Sequence, residues 1–382
     1  MTSWITSVLL VAAGLAPAFA DDAPVVVGAV VSQTGTQASL AADYRRALLL
    51  WQEEINAAGG LLGRRVELRL LDDGSQAASA GALYAELIRD RADLLIGPFG
   101  SAATLLALGE AERSRRVMIN GAGPARAVHR RSPNYVFQVV APYSAHASGI
   151  LELAQAAGCR RLFISARDDP ASNEKAAGAR QLALAQGFSA NIPESYAGGR
   201  ENFARLVARA RLSGAQLWIA IGEARDVAQI LRAARKEETM PGVFFTDAAA
   251  LPNFIPLAGQ DAELSLGTVE YDARLATTSN GEFVKAFTAT WAAKPGPAAA
   301  AGYAAATVLA GGVQQAGSLD QGSLRAALAG LELETVLGRY RVNPANGEQT
   351  GIRPAVVQIV NGRPEIVWPV AHRTAEAKLK CQ

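Results

Sequence analysis

The sequence contains few of the residues that build metal sites and disulfide frameworks. Its 382 residues include 2 cysteines and 3 histidines. His129, His146 and His372 lie far apart, without the spacing of metal ligands, so the sequence predicts neither a metal site nor a cofactor. The cysteines are Cys159 and Cys381. They either form a disulfide in an oxidising compartment or remain as a buried Cys159 and a loose Cys381.

Signature loops of nucleotide-using and hydrolytic enzymes are also missing. No Gly-x-Gly-x-x-Gly motif follows the first predicted strand, and neither a Walker loop nor a Gly-x-Ser-x-Gly elbow occurs. The pair Asp72-Asp73 has no partner base and no metal-ligand spacing, which favours a solvated turn at a strand end. The sequence therefore predicts a protein that is not an enzyme.

Neither basic nor acidic residues predominate in the sequence, and neither type forms a cluster along it. The 37 basic and 35 acidic residues give a formal net charge of +2 and are scattered along the predicted helices. A protein with this balance carries no electrostatic footprint for nucleic acid. Beyond the N-terminus, no segment is apolar over the length that a membrane-spanning helix needs.

The N-terminal segment has the features of a signal peptide. Residues 7–16 are apolar, and Pro17 and residues 18–20 (Ala-Phe-Ala) follow before Asp21. An apolar core before a small-x-small site predicts export and cleavage after Ala20. Residues 1–6 carry no Lys or Arg, so a buried or disordered apolar N-terminus is the alternative.

Strand-like and helix-like segments alternate along the remaining chain, which predicts an α/β protein with doubly wound parallel sheets. The pattern forms two tandem α/β units without a clear repeat or a low-complexity linker. Strands are predicted at residues 25–31, 66–71, 94–96, 117–119 and 135–140 and, in the second unit, at 162–165, 217–221 and 243–245. Helices are predicted around residues 40–55, 77–89, 174–186, 203–212 and 226–236.

Ligands of open α/β sheets bind beyond the carboxyl ends of the strands. The rule selects the loops at residues 33–38, 97–104, 120–124, 166–172, 222–226 and 246–249.

An ordered series of segments, rather than one short motif, resembles a known family. The series comprises VVVGAVVSQTG (25–35), EEINAAGGLLGRRVELRLLDD (53–73), LLIGPFGSAAT (94–104), NFARLVARARLSGAQLWIA (202–220), AGYAAATVLAGGVQQAG (301–317), LGRYRVNPANGEQTG (337–351) and VWP (367–369). Over nearly the whole mature chain, this series resembles the type I periplasmic binding proteins of ABC transporters, in the leucine/isoleucine/valine-binding group.

The resemblance implies two doubly wound α/β lobes joined by a hinge of three strands. Lobe one would comprise residues 23–139 and 271–347. Lobe two would comprise residues 140–270 and 351–372, and residues 373–382 would form a tail.

The resemblance also implies a function. The protein would be a monomeric periplasmic receptor that closes on a small carboxylate-bearing solute, such as an amino acid, an amide or an organic or aromatic acid. It would deliver this solute to the permease of an ABC transporter. The alternative is a sensor that partners a membrane receptor or kinase, since sensors share the fold. The ligand's identity is not fixed by the sequence.

In lobe one, the resemblance places the ligand's carboxylate at the turn that opens the helix after residue 100. Ser101 and Thr104 match that turn, and a helix N-terminus with a serine hydroxyl suits an anion. Capping of the helix is the alternative role of Ser101. Ala122 would offer backbone groups, Gln37 belongs to the first loop, and Phe99 would either wall the ligand or pack in the core.

The sequence departs from the amino-acid binders of the family at Pro124 in lobe one and at several loop positions in lobe two. Pro124 replaces a threonine that contacts the ligand's ammonium, and it has no N–H to donate. Glu223 and Arg225 stand where tyrosine is frequent, and Asp247 lies one place from the usual acidic partner of the ammonium. Arg167 or Arg225 would meet a second carboxylate or, alternatively, lie on the surface.

Overall fold

The computed structural model describes residues 23–130, 132–199, 203–238 and 240–381. The predicted signal peptide, residues 1–20, lies outside the described residues. Among the helices of the described residues, none combines the length and apolarity needed to cross a membrane.

The described strands and helices follow the predicted alternation, with a hairpin and two antiparallel strands added near the C-terminal end. The strands are β1 (Val25–Val30), β2 (Val66–Leu71), β3 (Leu94–Ile96), β4 (Met118–Asn120), β5 (Val136–Gln138), β6 (Arg161–Arg167), β7 (Ser189–Ala190), β8 (Glu194–Tyr196), β9 (Leu217–Ile221), β10 (Val243–Phe245), β11 (Leu266–Val269), β12 (Leu333–Thr335), β13 (Gly338–Tyr340), β14 (Ala355–Val360) and β15 (Arg363–Trp368). The α-helices are α1 (Ala38–Ala57), α2 (Ala80–Arg89), α3 (Ser101–Arg113), α4 (Ser148–Ala156), α5 (Pro170–Ala185), α6 (Ala204–Leu212), α7 (Ala224–Lys236), α8 (Phe254–Ala258), α9 (Asn280–Trp291), α10 (Pro297–Ala316) and α11 (Gln321–Gly330).

The first sheet is parallel and has the order β2-β1-β3-β4-β5. Alternate residues of its strands enter two different cores. Val27 packs with α1 and α10 on one face, whereas Val30 packs with α2 and α3 on the other. Burial on both faces explains the continuous apolar strands, and it confirms the predicted doubly wound architecture.

The second sheet has the order β15-β14-β11-β10-β9-β6-β7, and β8 also pairs with β6. Strands β6, β9, β10 and β11 run parallel, while β14 and β15 are antiparallel to their neighbours. Ile164 faces the core that contains α4 and α5, and Phe163 faces the core that contains α6 and α7. The carboxyl ends of β6, β9 and β10 therefore share one edge, which carries Arg167, Gly222 and Asp247.

Helix α5 begins four residues before the predicted start at residue 174, so the prediction of its start is wrong. Asp169 is its N-cap and accepts a hydrogen bond from the Ser172 N–H at 2.9 Å, and Pro170 occupies the first turn. An Asp N-cap followed by proline is a strong helix start. The earlier start converts the second half of the predicted 166–172 loop into helix and places Lys175 in the second turn.

The chain passes between the two sheets three times: after β5, after β11 and after β13. Gln349 is buried on the third passage and ties it to the first. Its Nε2 donates to the Val139 carbonyl at 3.0 Å, and its Oε1 accepts from the Gly351 N–H at 2.7 Å. The exact lobe boundaries at these passages stay a prediction.

The two cysteines form a disulfide, and the C-terminal segment is docked on the second sheet. Cys159 and Cys381 are joined, with 4.9 Å between their Cα atoms. The side chain of buried Gln358 donates to the Lys378 carbonyl at 2.9 Å and accepts from its N–H at 2.8 Å. Of the two alternatives for the cysteines, the disulfide is correct and the loose Cys381 is wrong, because this segment is held in place.

A disulfide that closes a long loop stabilises mainly by restricting the unfolded chain. We expect Cys381→Ser to lower the free energy of unfolding by about 2–4 kcal/mol under oxidising conditions. Urea unfolding followed by circular dichroism measures this loss. With reductant present, the variant and the wild type should unfold alike. Two free thiols in the non-reduced native protein would contradict the pairing.

His129 links the turn after β4 to the third passage. Its ring is buried, and its Nδ1 lies 2.8 Å from the Asn346 carbonyl while its Nε2 lies 3.4 Å from the Asn120 amide nitrogen. Burial lowers the pKa of His129 from 6.5 to about 4, although the Asn346 carbonyl acts in the opposite direction. The ring is therefore neutral in the folded protein at neutral pH.

A histidine whose folded pKa is depressed stabilises the fold above its unfolded pKa and loses this contribution as pH falls. Between about pH 7.5 and pH 5, we expect His129 to account for a loss of about 2 kcal/mol in the free energy of unfolding. Urea titrations of the wild type and His129→Gln at both pH values measure it. The variant should lose less stability on acidification, and an equal loss in both proteins would contradict the assignment.

Candidate functional site

One wall of the candidate site is the turn from β3 into α3. Gly100 is the N-cap with φ of 94°, a conformation that favours glycine, and Ser101 is the first helical residue. No side chain caps α3; the Ser101 Oγ instead accepts a hydrogen bond from the Ala125 N–H at 3.1 Å. The pure capping role of Ser101 is therefore wrong. The first N–H groups of α3 have no partner within the helix and favour an anion.

Thr104 lies behind this turn rather than on its surface. Its side chain is fully buried, and its Oγ1 donates to the Gly100 carbonyl at 2.8 Å. A Cβ at Gly123 would come within 2.6 Å of the same oxygen. Thr104 was predicted to contact the ligand, but here it fixes the glycine turn and has no exposed hydroxyl.

The loop after β4 lies against the same turn. The Asn120 side chain binds both the N–H and the carbonyl of Gly123, at 2.8 and 2.9 Å, which shapes the loop. The Ala122 carbonyl accepts the Gly100 N–H at 3.1 Å, so the two loops form one surface. Half-buried Phe99 bridges to Ala122 and meets the edge of Tyr44, with ring centroids 6.0 Å apart.

The first loop is held by an aspartate that the sequence suggested was a solvated turn. Exposed Asp72 accepts hydrogen bonds from the Gln33 N–H at 2.8 Å and the Thr34 hydroxyl at 2.7 Å. The hydrogen bond from Gly74, together with those from Thr34 and Gln33, lowers the pKa of Asp72 to about 2. Asp72 is thus exposed at the end of β2, as predicted for a solvated turn, and its hydrogen bonds also anchor the loop that carries exposed Gln37.

The facing wall consists of lobe-two side chains that pair with one another. Arg167, at the end of β6, forms an ion pair with Glu223 and lies 3.9 Å from Asp226. Buried Asp226 also accepts the Gly199 N–H at 2.9 Å. The structure thus brings Arg167 and Glu223 together, as their loops suggested, while Arg225 is exposed in the first turn of α7.

Asp247 is paired with a lysine that sequence reasoning missed. Its Oδ2 lies 2.7 Å from the Lys175 Nζ, and the two side chains are 17% and 19% exposed. Its Oδ1 lies 3.3 Å from the Gly222 N–H. Burial acts to lower the pKa of Lys175, but the Asp247 carboxylate outweighs it and raises the pKa above its ordinary value. Lys175 is therefore a cation.

Further polar groups from the passages between the sheets extend this pair. The Lys175 Nζ lies 4.9 Å from the centre of the Tyr143 ring. The His146 Nε2 lies 3.3 Å from the Glu270 Oε1. Burial acts to raise the pKa of Glu270, but His146 and Lys175 bring it below its ordinary value. We call Tyr143, His146, Lys175, Asp247 and Glu270 the hinge cluster.

One sequence signal could have located Lys175. The dipeptide Asp169-Pro170 starts α5 early, and this start places Lys175 in the second turn, beside the sheet edge that carries Asp247. No comparable signal marks Tyr143, His146 or Glu270, because these residues lie on the passages between the lobes.

The two walls touch beside the hinge. The Arg126 N–H donates to the Glu174 Oε1 at 2.7 Å, and the Tyr143 N–H donates to the Pro124 carbonyl at 3.2 Å. Arg126 follows Ala125, the partner of Ser101, and Glu174 precedes Lys175. These contacts bring the loop that binds Ser101 and the start of α5, which carries Lys175, together beside the hinge.

A separate cavity of about 420 Å³ lies at the hinge. It is lined by Glu270 of the hinge cluster and by Arg353, Trp368 and His372, but not by Ser101, Arg167 or Asp247. Among the described residues, no group of three His, Cys, Asp or Glu side chains is arranged to hold a metal ion.

Comparison with solved structures establishes the fold. A putative branched-chain amino acid ABC transporter structure from Silicibacter pomeroyi is 19% identical and superposes with a TM-score of 0.83, covering 94% of this chain and 99% of the other. An ABC transporter solute-binding protein from R. palustris, in complex with benzoate, is also 19% identical, with the same coverages and a TM-score of 0.68.

Comparison of sequences identifies the family. A stretch of 84 residues is 36% identical to a protein of Pseudomonas aeruginosa named "Amino acid binding protein", and the alignment spans 22% of each chain. The sequence profile of the family described as "Periplasmic binding protein" matches residues 24–363. This match covers most of the 382 residues. The chain therefore belongs to the periplasmic binding protein family.

Proposed function

We propose that the chain is an exported receptor that binds a small carboxylate-bearing solute in the cleft and delivers it to the permease of an ABC transporter. Reversible binding, without covalent chemistry, is its whole activity. The observation that carries the proposal is the turn at Ser101, whose partner Ala125 precedes the contact between Arg126 and Glu174 of lobe two.

The turn suits a carboxylate for three physical reasons. The first turn of α3 presents N–H groups, and the helix dipole adds a partial positive charge. The Ser101 Oγ accepts the Ala125 N–H, and this bond leaves the hydroxyl's own proton to donate. Gly100, at the N-cap, has open space where a side chain would stand, so a ligand reaches the backbone closely.

The body of the ligand lies between the two walls in this proposal. Phe99 and Ala122 provide the apolar side in lobe one, and Gln37 lies at the rim. Arg167, Glu223, Arg225 and Asp247 provide the polar groups of lobe two, with Tyr143 beside them. The similar R. palustris protein is in complex with benzoate, which is a small carboxylate.

Export is supported by two features of the chain. The apolar residues 7–16 precede a small-x-small site at residues 18–20. The Cys159–Cys381 disulfide suits an oxidising compartment such as the periplasm.

A thermal-shift screen of amino acids, amides and short-chain and aromatic acids identifies the ligand, since a ligand that binds only the folded state raises Tm. We expect Ser101→Ala to weaken binding of the strongest carboxylate hit about tenfold to a hundredfold, the loss of one hydrogen bond to a charged group. Isothermal titration calorimetry measures the affinity.

Ser114→Ala is the matched control, because Ser114 is the half-buried C-cap at the opposite end of α3. This variant should bind like the wild type, and the Tm of each ligand-free variant reports any loss of stability. An unchanged affinity in Ser101→Ala would refute the carboxylate site, and turnover of the bound compound would refute the proposal of a receptor.

A further inference from the structure

We infer that Lys175 occupies the place of a ligand ammonium against Asp247, so the ligand is a carboxylate without an α-amino group. This inference rests on the proposed function and narrows its ligand class. Lys175 is then the residue that selects deaminated acids over amino acids.

The first step is the geometry of the pair. Asp247 follows β10, at the sheet edge where the neighbouring strands β9 and β6 also end. Its two oxygens are both engaged, one by the Lys175 Nζ at 2.7 Å and the other by the Gly222 N–H at 3.3 Å. Both side chains of the pair are largely buried, so solvent screens them weakly.

The second step is the state of three further acids, two at the carboxyl-end loops of lobe two and one in the hinge cluster. Glu223 pairs with Arg167, and Asp226 lies 3.9 Å from the same guanidinium. Glu270 lies 3.3 Å from His146 and feels the charge of Lys175. Each of these carboxylates thus has a cationic or protonatable partner within the chain itself.

The third step is the electrostatic cost of binding an amino acid whose ammonium lies against Asp247. Its ammonium would lose water and approach Asp247 beside the fixed charge of Lys175. The repulsion between two cations in a partly buried site disfavours this arrangement, and expelling Lys175 would bury a charge without its partner. A ligand with a carboxylate and an uncharged body meets neither penalty.

The experiment compares acids that share a carbon skeleton and differ only in the α-amino group. The panel covers branched aliphatic, aromatic and dicarboxylic skeletons: 4-methylpentanoate with leucine, 3-phenylpropanoate with phenylalanine, and glutarate with glutamate. Calorimetry on the full-length mature protein should show the deaminated acid of the best pair binding at least about tenfold tighter. Equal or tighter binding of the amino acid overturns the inference.

Substitution of Lys175 tests whether this residue causes the preference for the deaminated acid. Lys175→Met removes the cation and keeps much of the volume, so the preference should shift about tenfold or more towards the amino acid of the same pair. The double variant Lys175→Met, Asp247→Asn should lose this shift, because the released carboxylate is gone. Lys175→Arg should keep the wild-type preference and serves if the Met variant does not fold.

Lys236→Met is the matched control, since Lys236 is exposed at the end of α7. An unchanged preference in a folded Lys175→Met, or a changed one in Lys236→Met, overturns the role of Lys175. Failure of the inference is distinct from failure of the receptor proposal. If an amino acid binds best and Ser101→Ala weakens it, only the inference fails; if no compound of the thermal-shift screen binds, both fail.

Discussion

The hydrogen bonds of Gln349 hold together the region on which both lobes depend. A buried glutamine amide has donors and acceptors that must all be satisfied, and here it satisfies backbone groups on two passages between the sheets. It joins the Val139 carbonyl to the N–H of Gly351. The passages are thereby kept side by side without a regular sheet between them. Gln349 therefore links the first passage to the third at the point where the chain crosses between the sheets.

The polar groups of the cleft are mechanically linked to this joint. Tyr143 lies on the first passage and Glu270 on the second, and both neighbour Lys175 electrostatically. Through Lys175, Asp247 is therefore in electrostatic contact with two of the passages between the sheets. At the opposite wall, by contrast, the turn at Ser101 is supported within its own lobe by Asn120 and Thr104. One wall is rigid by local hydrogen bonding, and the other is coupled to the hinge.

The sequence was sufficient to predict the strands that are buried on both faces, because such strands appear as continuous apolar runs. Residues 94–96 and 217–221 are continuous apolar runs, and both are buried strands. It was insufficient for pairing across the fold: Asp247 meets Lys175 rather than Arg167 or Arg225, and this choice depends on the phase of α5 and the order of β6, β9 and β10. The role of Asp72 was likewise hidden, because a carboxylate bound to backbone N–H groups leaves the same local sequence as one facing water.

The disulfide also fixes an order of assembly. Cys159 has its partner 222 residues further along the chain, and the second sheet takes β14 and β15 from the same late region. The first sheet is complete by residue 138, yet α10, which covers one of its faces, is made much later. A ribosome thus releases most of the chain before either lobe is able to finish its core. The bond between Cys159 and Cys381 is able to form only after nearly the whole chain has been made.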